Sequence, residues 1–543
     1  MKKLSLKILT ASALLGTGLF FVPYNVNAEA VADAPGSQSS SGWVKDGGYW
    51  NYLDSEGNRV TGWHYLKSKT SDKEKWYLFD NGGHLVSFVP KNSINLFNTN
   101  IDEPFSTSDH PNLKNGWYEL SGKDGFYLEG ALNGEYHLSV YSDGSWNSLD
   151  VKGAEGGGTL SANKKNSDDT QKWWISQNKG GSYTLINKAT GLQFAISGNN
   201  LTSYKGIDQK TVSLKRVGAR PEYYGAVGDG VTDDTDAILR TIELNDTVEF
   251  AKRYNTSETI TIKKDNLKLI GDNGMIVTHT GFPTFRVKGK NVTFDNVIFM
   301  GSYTRDEASD YGCIYFKTDS SDPEVVDYNA NIVNCKFINT GLRGIHIHSE
   351  RVSSSDFTPK NIASNITIKD CTFDSYKIGV CCSGPDNVTV DHCTFSNAYY
   401  EHVTFDWRSR HCKAVNNSFN GLEGGIGAVG IDSAEDIEIK NNDFNYSVLY
   451  GITLSAQTRT NNNVVISDNT FNYTGGLGGI RFNKYEVGPA ANNVTISNNT
   501  FNTDNSYSIK VESAGQNIKF TGNTYNSDKP VISNSDSQIE TDY

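Results

Sequence analysis

A short segment that alternates apolar and polar residues and ends in an aromatic ring recurs along the C-terminal half of the chain. Eight copies follow one another at intervals of 22 to 36 residues, and residues 294–299 resemble a ninth. Repeats of this length are typical of solenoids, in which each repeat forms one coil and packs on its neighbours. Stacked coils therefore predict an interior column of aromatic side chains. The eight copies are residues 332–337, 368–373, 390–395, 414–419, 439–444, 466–471, 496–501 and 520–525.

The position two residues before each aromatic ring forms a second column. It holds Cys335, Cys371, Cys393, Asn417, Asn442, Asn469 and Asn499. Stacked asparagines can satisfy buried amides by bonding to one another, and the thiols are expected as small buried fillers. The chain has 7 cysteines and no CxxC pair, so a zinc site is not expected. A disulfide between Cys371 and Cys393 stays sterically open.

A second alternating strand follows each aromatic residue, as in residues 344–348, 402–406 and 428–432. Alternation turns the apolar residues inward and leaves two neighbouring outward columns. The first column reads Tyr315, His346, Cys381, Thr404, Gly430, Thr453, Arg481 and Lys510. The second column reads Lys317, His348, Ser383, Asp406, Asp432, Ser455, Asn483 and Glu512.

These two columns and their flanks hold the candidate active site. Histidines, carboxylates and cations share one face there, whereas the alternative interpretation, an ordinary solvated face, carries unselective Lys, Glu, Thr and Ser. The candidate catalytic residues are Asp406, Asp432, His346, His348 and Arg481. The candidate substrate-binding residues are Tyr315, Lys317, Glu401, Trp407, Arg408 and Asn483, with Trp407 suited to stacking on a sugar ring.

Residues 224–238, with the sequence YGAVGDGVTDDTDAI, closely resemble the start of the rhamnogalacturonase/epimerase-like pectate lyase superfamily. The resemblance implies a right-handed parallel β-helix, the pectin lyase fold, over residues 218–543. It also implies that 224–238 form a capping turn and short helix, whose aspartates are capping and turn residues. No cofactor is expected, and only calcium is left open at this segment. Related folds carry polysaccharide chemistry on an outward sheet, so a polysaccharide is the expected substrate.

Two reactions and one binding function compete. Hydrolysis of a glycoside uses two carboxyl groups, and like-charge repulsion between Asp406 and Asp432 would separate their pKa values into an acid and a base. Elimination or C5-epimerisation of a uronate would instead use a histidine or Tyr315 as acid or base and a cation to neutralise the substrate. The aspartate pair favours hydrolysis, although polygalacturonase and alginate epimerase motifs are absent. The third hypothesis is a non-catalytic, cell-wall-associated adhesin that binds glycan.

Residues 42–92 hold two copies of an aromatic, glycine-punctuated pattern that resembles the cell-wall or choline-binding repeats of Gram-positive surface proteins. That resemblance implies binding of choline or glycan through cation–π attraction and stacking, with cell-wall glycan or teichoic acid as the partner. The alternative is a small hairpin core of the same rings. The candidate ligand-binding residues are Trp43, Trp50, Tyr52, Trp63, Tyr65 and Trp76.

Residues 95–216 contain the motif Gln171-Lys172-Trp173 and resemble part of a ricin-type β-trefoil lectin, a family in which the Trp of this motif belongs to the core. The chain is thus predicted to be all-β. It would comprise N-terminal β-hairpin repeats, a β-trefoil-like middle region and a C-terminal right-handed parallel β-helix.

The N-terminus predicts export. Three lysines precede the apolar stretch 8–22, and a small-x-small site places signal-peptide cleavage after Ala28. Residues 29–41 are small and polar, as in a linker. Secretion and association with a Gram-positive cell wall are therefore expected. The net charge of −12 argues against nucleic acid as a partner, and no later segment has the length of a membrane span.

Overall fold

The structure is a computed structural model, and its residues form two compact units. One unit runs to Arg216 without residues 141–145, and the other comprises residues 141–145 and 217–543. The predicted signal peptide and residues 29–40 of the predicted linker lie outside the described residues. The described residues are 41–46, 49–69, 74–79, 82–86, 113–130, 135–154, 157–178, 181–205, 210–302, 309–353, 356, 358–425, 427–446, 449–474, 477–484, 488–504, 507–513, 515–526, 530–533 and 539–541.

The first unit begins with two small antiparallel sheets. Gly42–Asp46 pairs with Tyr49–Leu53, and Gly62–Lys67 pairs with Glu74–Phe79, which in turn pairs with Leu85–Val86. Their apolar side chains form a small core, because short hairpins of this kind are stable only when their faces are buried together. This core consists of Trp50, Leu66, Tyr77, Phe79 and Leu85, with Trp43, Tyr52 and Val60 packed against it.

An 11-stranded antiparallel sheet follows in the first unit. A short 3-10 helix, Asp169–Gln171, precedes the strand in which Trp173 is fully buried. Trp173 therefore has the core position that the sequence predicts, while the β-trefoil interpretation stays a prediction. The strands are Gly116–Leu120, Lys123–Gly130, Glu135–Ser142, Ser145–Asp150, Gly158–Thr159, Ser161–Lys164, Trp173–Gln177, Tyr183–Asn187, Gln193–Ser197, Asn200–Tyr204 and Leu214–Val217.

The second unit is a parallel β-helix with three sheets, here named sheets 1 to 3 in the order in which a coil visits them. Sheet 1 comprises Thr247–Phe250, Lys268–Gly271, Thr293–Asp295, Val325–Val333, Pro359–Lys369, Asp386–Asp391, Arg410–Val415, Glu435–Lys440, Asn461–Ser467, Ala491–Ser497, Ile518–Thr521 and Ile539–Thr541, with Glu350–Arg351 paired at the side. Sheet 2 comprises Asp229–Asp233, Arg253–Asn255, Met275–Val277, Ile298–Met300, Lys336–Ile338, Thr372–Tyr376, Thr394–Ala398, Ser418–Leu422, Asp443–Tyr446, Thr470–Thr474, Thr500–Asp504 and Thr524–Asn526. Sheet 3 comprises Ile260–Ile262, Phe285–Val287, Gly312–Lys317, Arg343–His348, Val380–Ser383, Val403–Asp406, Gly427–Asp432, Tyr450–Ser455, Gly478–Phe482, Tyr507–Val511 and Val531–Ser533.

The repeated aromatic residues form the predicted interior stack. The rings of Phe337 and Phe373 lie 4.6 Å apart with an interplanar angle of 3°, and those of Phe471 and Phe501 lie 4.8 Å apart at 6°. These distances match the spacing of neighbouring strands, about 4.7 to 4.9 Å. The stack therefore follows directly from the register of sheet 2.

The repeated segment is a corner rather than a single strand. Its third residue joins sheet 1 to sheet 2 in the left-handed conformation, as at Asn334 (φ 56°), Asn416 (φ 58°) and Asn498 (φ 56°). Asparagine is one of the few residues with a side chain that accept this conformation readily. This requirement explains the abundance of asparagine at the corners.

A ladder of buried asparagines runs beside the aromatic stack, as predicted. Asn442 donates from Nδ2 to Oδ1 of Asn469 over 2.9 Å, and Asn469 donates likewise to Asn499 over 2.9 Å. Each side chain also donates to a backbone carbonyl, as Asn469 does to Ile439 over 3.0 Å. From Asn417 to Asn499, each side-chain amide thus donates to the asparagine oxygen of the following coil. Cys335, Cys371 and Cys393 continue the column. All seven cysteines are buried free thiols, so Cys371 and Cys393 are not joined by a disulfide in this structure.

The segment 224–238 closes the N-terminal end of the β-helix. The 3-10 helix Pro221–Tyr224 leads into it, and the helix Thr235–Leu244 begins near its end. Asp234 accepts the Val227 N–H over 2.8 Å. Asp229 accepts the backbone N–H of Val231 over 2.8 Å. These aspartates are turn residues, as the resemblance implies. Within the described part of the chain, no helix has both the length and the apolar character that a bilayer crossing requires.

Replacement of Asn469 by alanine tests the ladder. The variant leaves the Asn442 amide without its acceptor and the Ile439 carbonyl without its donor, so the free energy of unfolding should fall by about 3 kcal/mol. Urea denaturation measures this change. The matched control is Asn472→Ala in an exposed asparagine ladder, for which we expect a loss below about 1 kcal/mol. Equal losses in the two variants would contradict the role of the buried ladder.

His402 is a fully buried histidine inside the β-helix. Its ring lies 5.8 Å from that of Phe395 and 5.7 Å from that of Phe419, and Nδ1 is hydrogen-bonded to the Tyr376 hydroxyl. Burial lowers the pKa of His402 to about 3. The histidine is therefore neutral in the folded protein, whereas an unfolded histidine becomes protonated below about pH 6.5.

This difference predicts a loss of stability in acid. Because the folded pKa lies below the unfolded pKa, the contribution of His402 is fully present above about pH 6.5 and is lost as the pH falls toward 3, by up to about 1.4 kcal/mol per pH unit. In urea denaturation between pH 7 and pH 4, His402→Gln should lose less stability than the wild type. The control Asn472→Ala removes no titratable group at an exposed site and should keep the wild-type dependence. An unchanged slope for His402→Gln would refute the assignment.

Candidate functional site

Sheet 3 brings the two predicted columns together as adjacent rows. Consecutive strands pair His346 with Cys381, Cys381 with Thr404, and Thr404 with Gly430. The second row pairs His348 with Ser383, Ser383 with Asp406, and Asp406 with Asp432. Asp406 and Asp432 therefore stand on adjacent coils. The histidine pair lies two coils before Asp406, and Arg481 lies two coils beyond Asp432.

A pocket of about 220 Å³ lies around the two aspartates. Four of the predicted site residues meet in it, namely Asp406, Asp432, Glu401 and Trp407. Its remaining lining residues are Arg343, Ile378, Cys381, Ser383, Thr404, Gly430, Ile431, Ser455 and Gln457. The pocket thus combines three carboxyl groups with one guanidinium group.

The two aspartates have unequal surroundings. Burial raises the pKa of Asp406 well above its ordinary value, and the negative charges of Asp432 and Glu401 raise it further. Burial also raises the pKa of Asp432, but the backbone N–H of Gln457 (2.9 Å) and the Ser433 hydroxyl (2.8 Å) donate to its Oδ1 and oppose the rise. Hydrogen bonds of this kind favour the charged form. The pKa of Asp406 is thus raised further than that of Asp432, so Asp406 holds a proton more readily and Asp432 ionises more readily.

The two predicted histidines form a separate cluster on the neighbouring coils. The ring of His346 stacks on that of Tyr315 at 4.8 Å and lies 5.4 Å from that of His348. Burial and then the Arg343 charge lower the pKa of His346 well below its ordinary value. Burial, with Arg351 and Lys317, lowers the pKa of His348 to about 4. Both imidazoles are therefore neutral at neutral pH and do not serve as cations there.

Arg343 links the histidine cluster to the pocket, and sequence reasoning missed it. Its Nη1 lies 3.0 and 3.2 Å from the two ring nitrogens of His346, and its Nη2 donates to Asp310 over 3.0 Å. Its Nε is buried and has no hydrogen-bond partner among the described residues. Arg343 precedes the alternating part of its strand, so the two-residue period that revealed His346 and His348 does not extend to it. Cys381 also lines the pocket. The two-residue period predicts its place in the first outward column but gives no reason to include it among the site residues.

Trp407 lies at the edge of the pocket but is already in contact on one face. The Arg351 guanidinium lies 4.1 Å from its ring centroid, and the ring of His348 meets it edge-on at 5.9 Å. Trp407 and Arg408 both adopt positive φ, 53° and 66°. Bulky residues rarely accept this conformation, and functional sites often hold such strain. A sugar could therefore stack only on the part of the Trp407 ring that Arg351 and His348 do not cover.

Arg481 is not among the residues that line the pocket. Its guanidinium donates to Glu512 over 2.8 Å and lies 5.3 Å from the ring centroid of Tyr450. Asn483, on the same coil, is buried and donates to the Ser455 hydroxyl over 3.4 Å. Alternation correctly predicts that both residues lie on the outward face of sheet 3. It does not predict the ion pair between Arg481 and Glu512. Lys317 stands opposite His348, one coil before the histidines.

The predicted choline- or glycan-binding aromatics belong largely to the small core of the first unit. Trp43 and Tyr77 are in edge contact at 4.6 Å, and Trp50 is buried with the Lys69 ammonium 4.2 Å from its ring centroid. Tyr52 is packed against the same core. Tyr65 is half-buried, and the side chains of Trp63 and Trp76 lie outside the described ones. Cell-wall binding by this unit stays a prediction.

Among the described residues, no group of three or more His, Cys, Asp or Glu side chains is placed to hold a metal ion. In the capping segment, where the sequence leaves calcium open, Asp233 accepts hydrogen bonds from the hydroxyl groups of Thr235 (2.5 Å) and Ser257 (2.7 Å). Asp229, Asp233 and Asp234 thus already accept hydrogen bonds from neighbouring protein groups.

Comparison with known proteins identifies the fold. The family model of the "right handed beta helix region" matches residues 284–463. The second unit is a right-handed parallel β-helix. No curated protein matches the chain.

Solved structures with a similar fold include three bacterial proteins. The surface protein and adhesin PfbA of Streptococcus pneumoniae is 15% identical over 60% of this chain and 97% of its own, with a TM-score of 0.44. A hyperthermoactive exopolygalacturonase from Thermotoga maritima is 14% identical over 60% and 90%, with a TM-score of 0.46. The A-module of a mannuronan C-5 epimerase from Azotobacter vinelandii is 13% identical over 60% and 99%, with a TM-score of 0.36. At these identities and TM-scores, none of the three proteins determines the function of this chain.

Removal of the Asp432 charge should lower the pKa of Asp406. In Asp432→Asn, Asp406 loses the larger of the two carboxylate repulsions that raise its pKa. Carbon-13 NMR of the aspartate side-chain carboxyl groups as a function of pH measures this shift. Glu401→Gln should give a smaller shift in the same direction. An unchanged Asp406 pKa in Asp432→Asn would show that the two carboxyl groups do not interact.

Proposed function

We propose that the protein is a glycoside hydrolase that cleaves a polysaccharide in the pocket around Asp406 and Asp432. The observation that carries this proposal is the pair of aspartates on adjacent coils, one favoured as the protonated acid and the other as the carboxylate. Glycoside hydrolysis needs these two forms of a carboxyl group side by side. Both aspartates line one pocket of about 220 Å³.

The reaction follows from the two environments. Asp406 donates its proton to the glycosidic oxygen, and the bond between that oxygen and the anomeric carbon breaks. Asp432 supplies the carboxylate that either activates the incoming water or attacks the anomeric carbon first. One water is consumed, and its hydrogen and hydroxyl complete the two new chain ends. The neutral His346 and His348, two coils before Asp406, can donate hydrogen bonds to sugar hydroxyls and accept hydrogen bonds from them.

The size of the pocket indicates how much of a glycan it holds. Pockets for drug-sized ligands occupy about 300 to 1,000 Å³, so a pocket of about 220 Å³ accommodates one sugar unit rather than a long segment. The rest of a polymer would lie along the polar rows of sheet 3. These rows continue to His346 and His348 on one side and to Ser455 and Asn483 on the other.

One observation favours a lyase or epimerase of a uronate polymer as a second candidate. Arg343 lines the pocket, and its Nε has no hydrogen-bond partner in the described part of the chain. Such a cation could neutralise the carboxylate of a uronate while a base removes the proton at C5. The neutral histidines and Tyr315 are the bases within this cluster, but they lie beyond the lining of the pocket. We therefore place hydrolysis first.

Assays of the purified protein on a polysaccharide panel test the proposal, with reducing ends and ultraviolet-absorbing unsaturated ends measured together. Hydrolysis gives reducing ends alone, and elimination gives both signals. On the substrate found, Asp406→Asn should lower kcat/KM by about 100- to 10,000-fold, because general acid catalysis contributes this much. Asp432→Asn should cause a loss of similar size.

The matched control is Asp443→Asn, an exposed aspartate in sheet 2, which should keep wild-type activity. Unsaturated ends would replace the hydrolase with the lyase. Binding of a glycan without any product, unaffected by both aspartate variants, would instead identify a glycan-binding adhesin. Full activity in Asp406→Asn would overturn the assignment of the acid.

A further inference from the structure

Gly430 lies in the floor of the pocket, in the outward row of sheet 3 between Thr404 and Thr453. The other members of this row carry side chains. Glycine weakens a strand because it adds backbone freedom and packs no side chain. Where it occurs inside a strand, it commonly marks a bulge, a bend or a place where a ligand approaches the backbone.

The backbone does not require glycine at this position. Gly430 lies within the regular strand Gly427–Asp432 and is not among the residues with positive φ. Its register with Thr404 on one side and Thr453 on the other is uninterrupted. Any amino acid with a side chain can adopt this conformation.

Packing does not require glycine either. A Cβ atom at Gly430 would lie 3.7 Å from Cγ2 of Thr404 and 4.0 Å from Cγ of Glu401, which are ordinary contact distances. Two other glycines differ in this respect, Gly344 within a sheet 3 strand and Gly379 just before one. A Cβ at Gly379 would come within 2.6 Å of a backbone carbonyl, and one at Gly344 within 2.6 Å of the Phe373 ring. Those positions exclude a side chain, whereas Gly430 has room for one.

The space above Gly430 lies beside the proposed catalytic groups, within the same pocket. Asp406 and Asp432 stand in the adjacent row on the same two coils as Thr404 and Gly430. The atoms nearest to the missing side chain are a methyl carbon of Thr404 and a methylene carbon of Glu401. This part of the floor is thus apolar and flat, while hydrogen-bonding groups stand beside it.

We propose that Gly430 determines substrate specificity by letting the sugar unit at the cleavage point lie directly on the backbone of sheet 3. This inference rests on the proposed hydrolase function and extends it to the class of sugar. The C–H face of a pyranose ring fits the apolar floor, and the ring hydroxyls reach Glu401 and Asp406. A sugar with a bulky substituent on that face would be excluded, as would any sugar once a side chain fills the floor.

The variants Gly430→Ala and Gly430→Val test the inference on the polysaccharide that the wild type cleaves. We expect kcat/KM to fall roughly 10-fold for alanine and roughly 100-fold or more for valine, because small displacements of a bound substrate have effects of this size. The melting temperature of Gly430→Ala should equal or slightly exceed that of the wild type. Gly281→Ala is the control, since Gly281 is exposed, has ordinary φ and faces open space.

Binding separates this inference from the proposed function. Calorimetry with an oligosaccharide substrate compares Asp406→Asn with the same variant carrying Gly430→Val, and we expect the second replacement to weaken binding by at least roughly 10-fold. If the wild type cleaves a glycan and both Gly430 variants cleave it equally well, the role of Gly430 is refuted and the hydrolase stands. If the wild type neither cleaves nor binds any glycan, both proposals fall.

Discussion

The close, regular spacing of parallel strands is the constraint on which the β-helix depends. Neighbouring strands lie about 4.7 to 4.9 Å apart, so each residue stands directly beneath its counterpart in the next coil. Every position in the repeat therefore becomes a row of side chains in contact. Whether a row stabilises or destabilises the β-helix depends on whether its members attract or repel one another at that distance.

Most rows of the β-helix satisfy this constraint favourably. Phenylalanine rings stack at ring-to-ring distances equal to the strand spacing, and asparagines hydrogen-bond along their row. On sheet 1, Lys413 is paired with Glu438 at 2.9 Å. Asp406 and Asp432 instead place two carboxyl groups on adjacent coils, and burial together with their mutual repulsion raises the pKa of Asp406. At the candidate site, the strand spacing therefore holds two carboxyl groups together although they repel each other. Such an arrangement is expected of an acid–base pair.

The sequence predicts the β-helix well because its determinants are periodic. The aromatic repeat locates the coils and alternation locates the outward rows, so the alignment of Asp406 with Asp432 follows from the repeat alone. Contacts made by residues outside the period cannot be predicted in this way. Arg343 enters the pocket from the beginning of its strand, Arg481 is held by Glu512, and Arg351 packs on Trp407. Each of these contacts is made by a long, flexible side chain, and the repeat does not determine the direction in which such a side chain points.

The corners themselves illustrate the same limit. The repeated segment has the pattern of one strand, yet its third residue turns the chain from sheet 1 to sheet 2 in a left-handed conformation. The recurring asparagine or aspartate at that position is the available signal. In the first unit, aromatic spacing cannot distinguish a ligand cage from a core, because both bring the same rings together. Burial of Trp50 and Tyr77 shows a core.

A crystal structure of the Asp406→Asn variant with a bound oligosaccharide substrate tests the central claim most directly. We expect the glycosidic oxygen within hydrogen-bond distance of residue 406. The adjoining sugar ring should lie on Gly430 with its anomeric carbon facing Asp432. An oligosaccharide bound elsewhere on the chain, or one that crosses sheet 3 without entering this pocket, would contradict the claim.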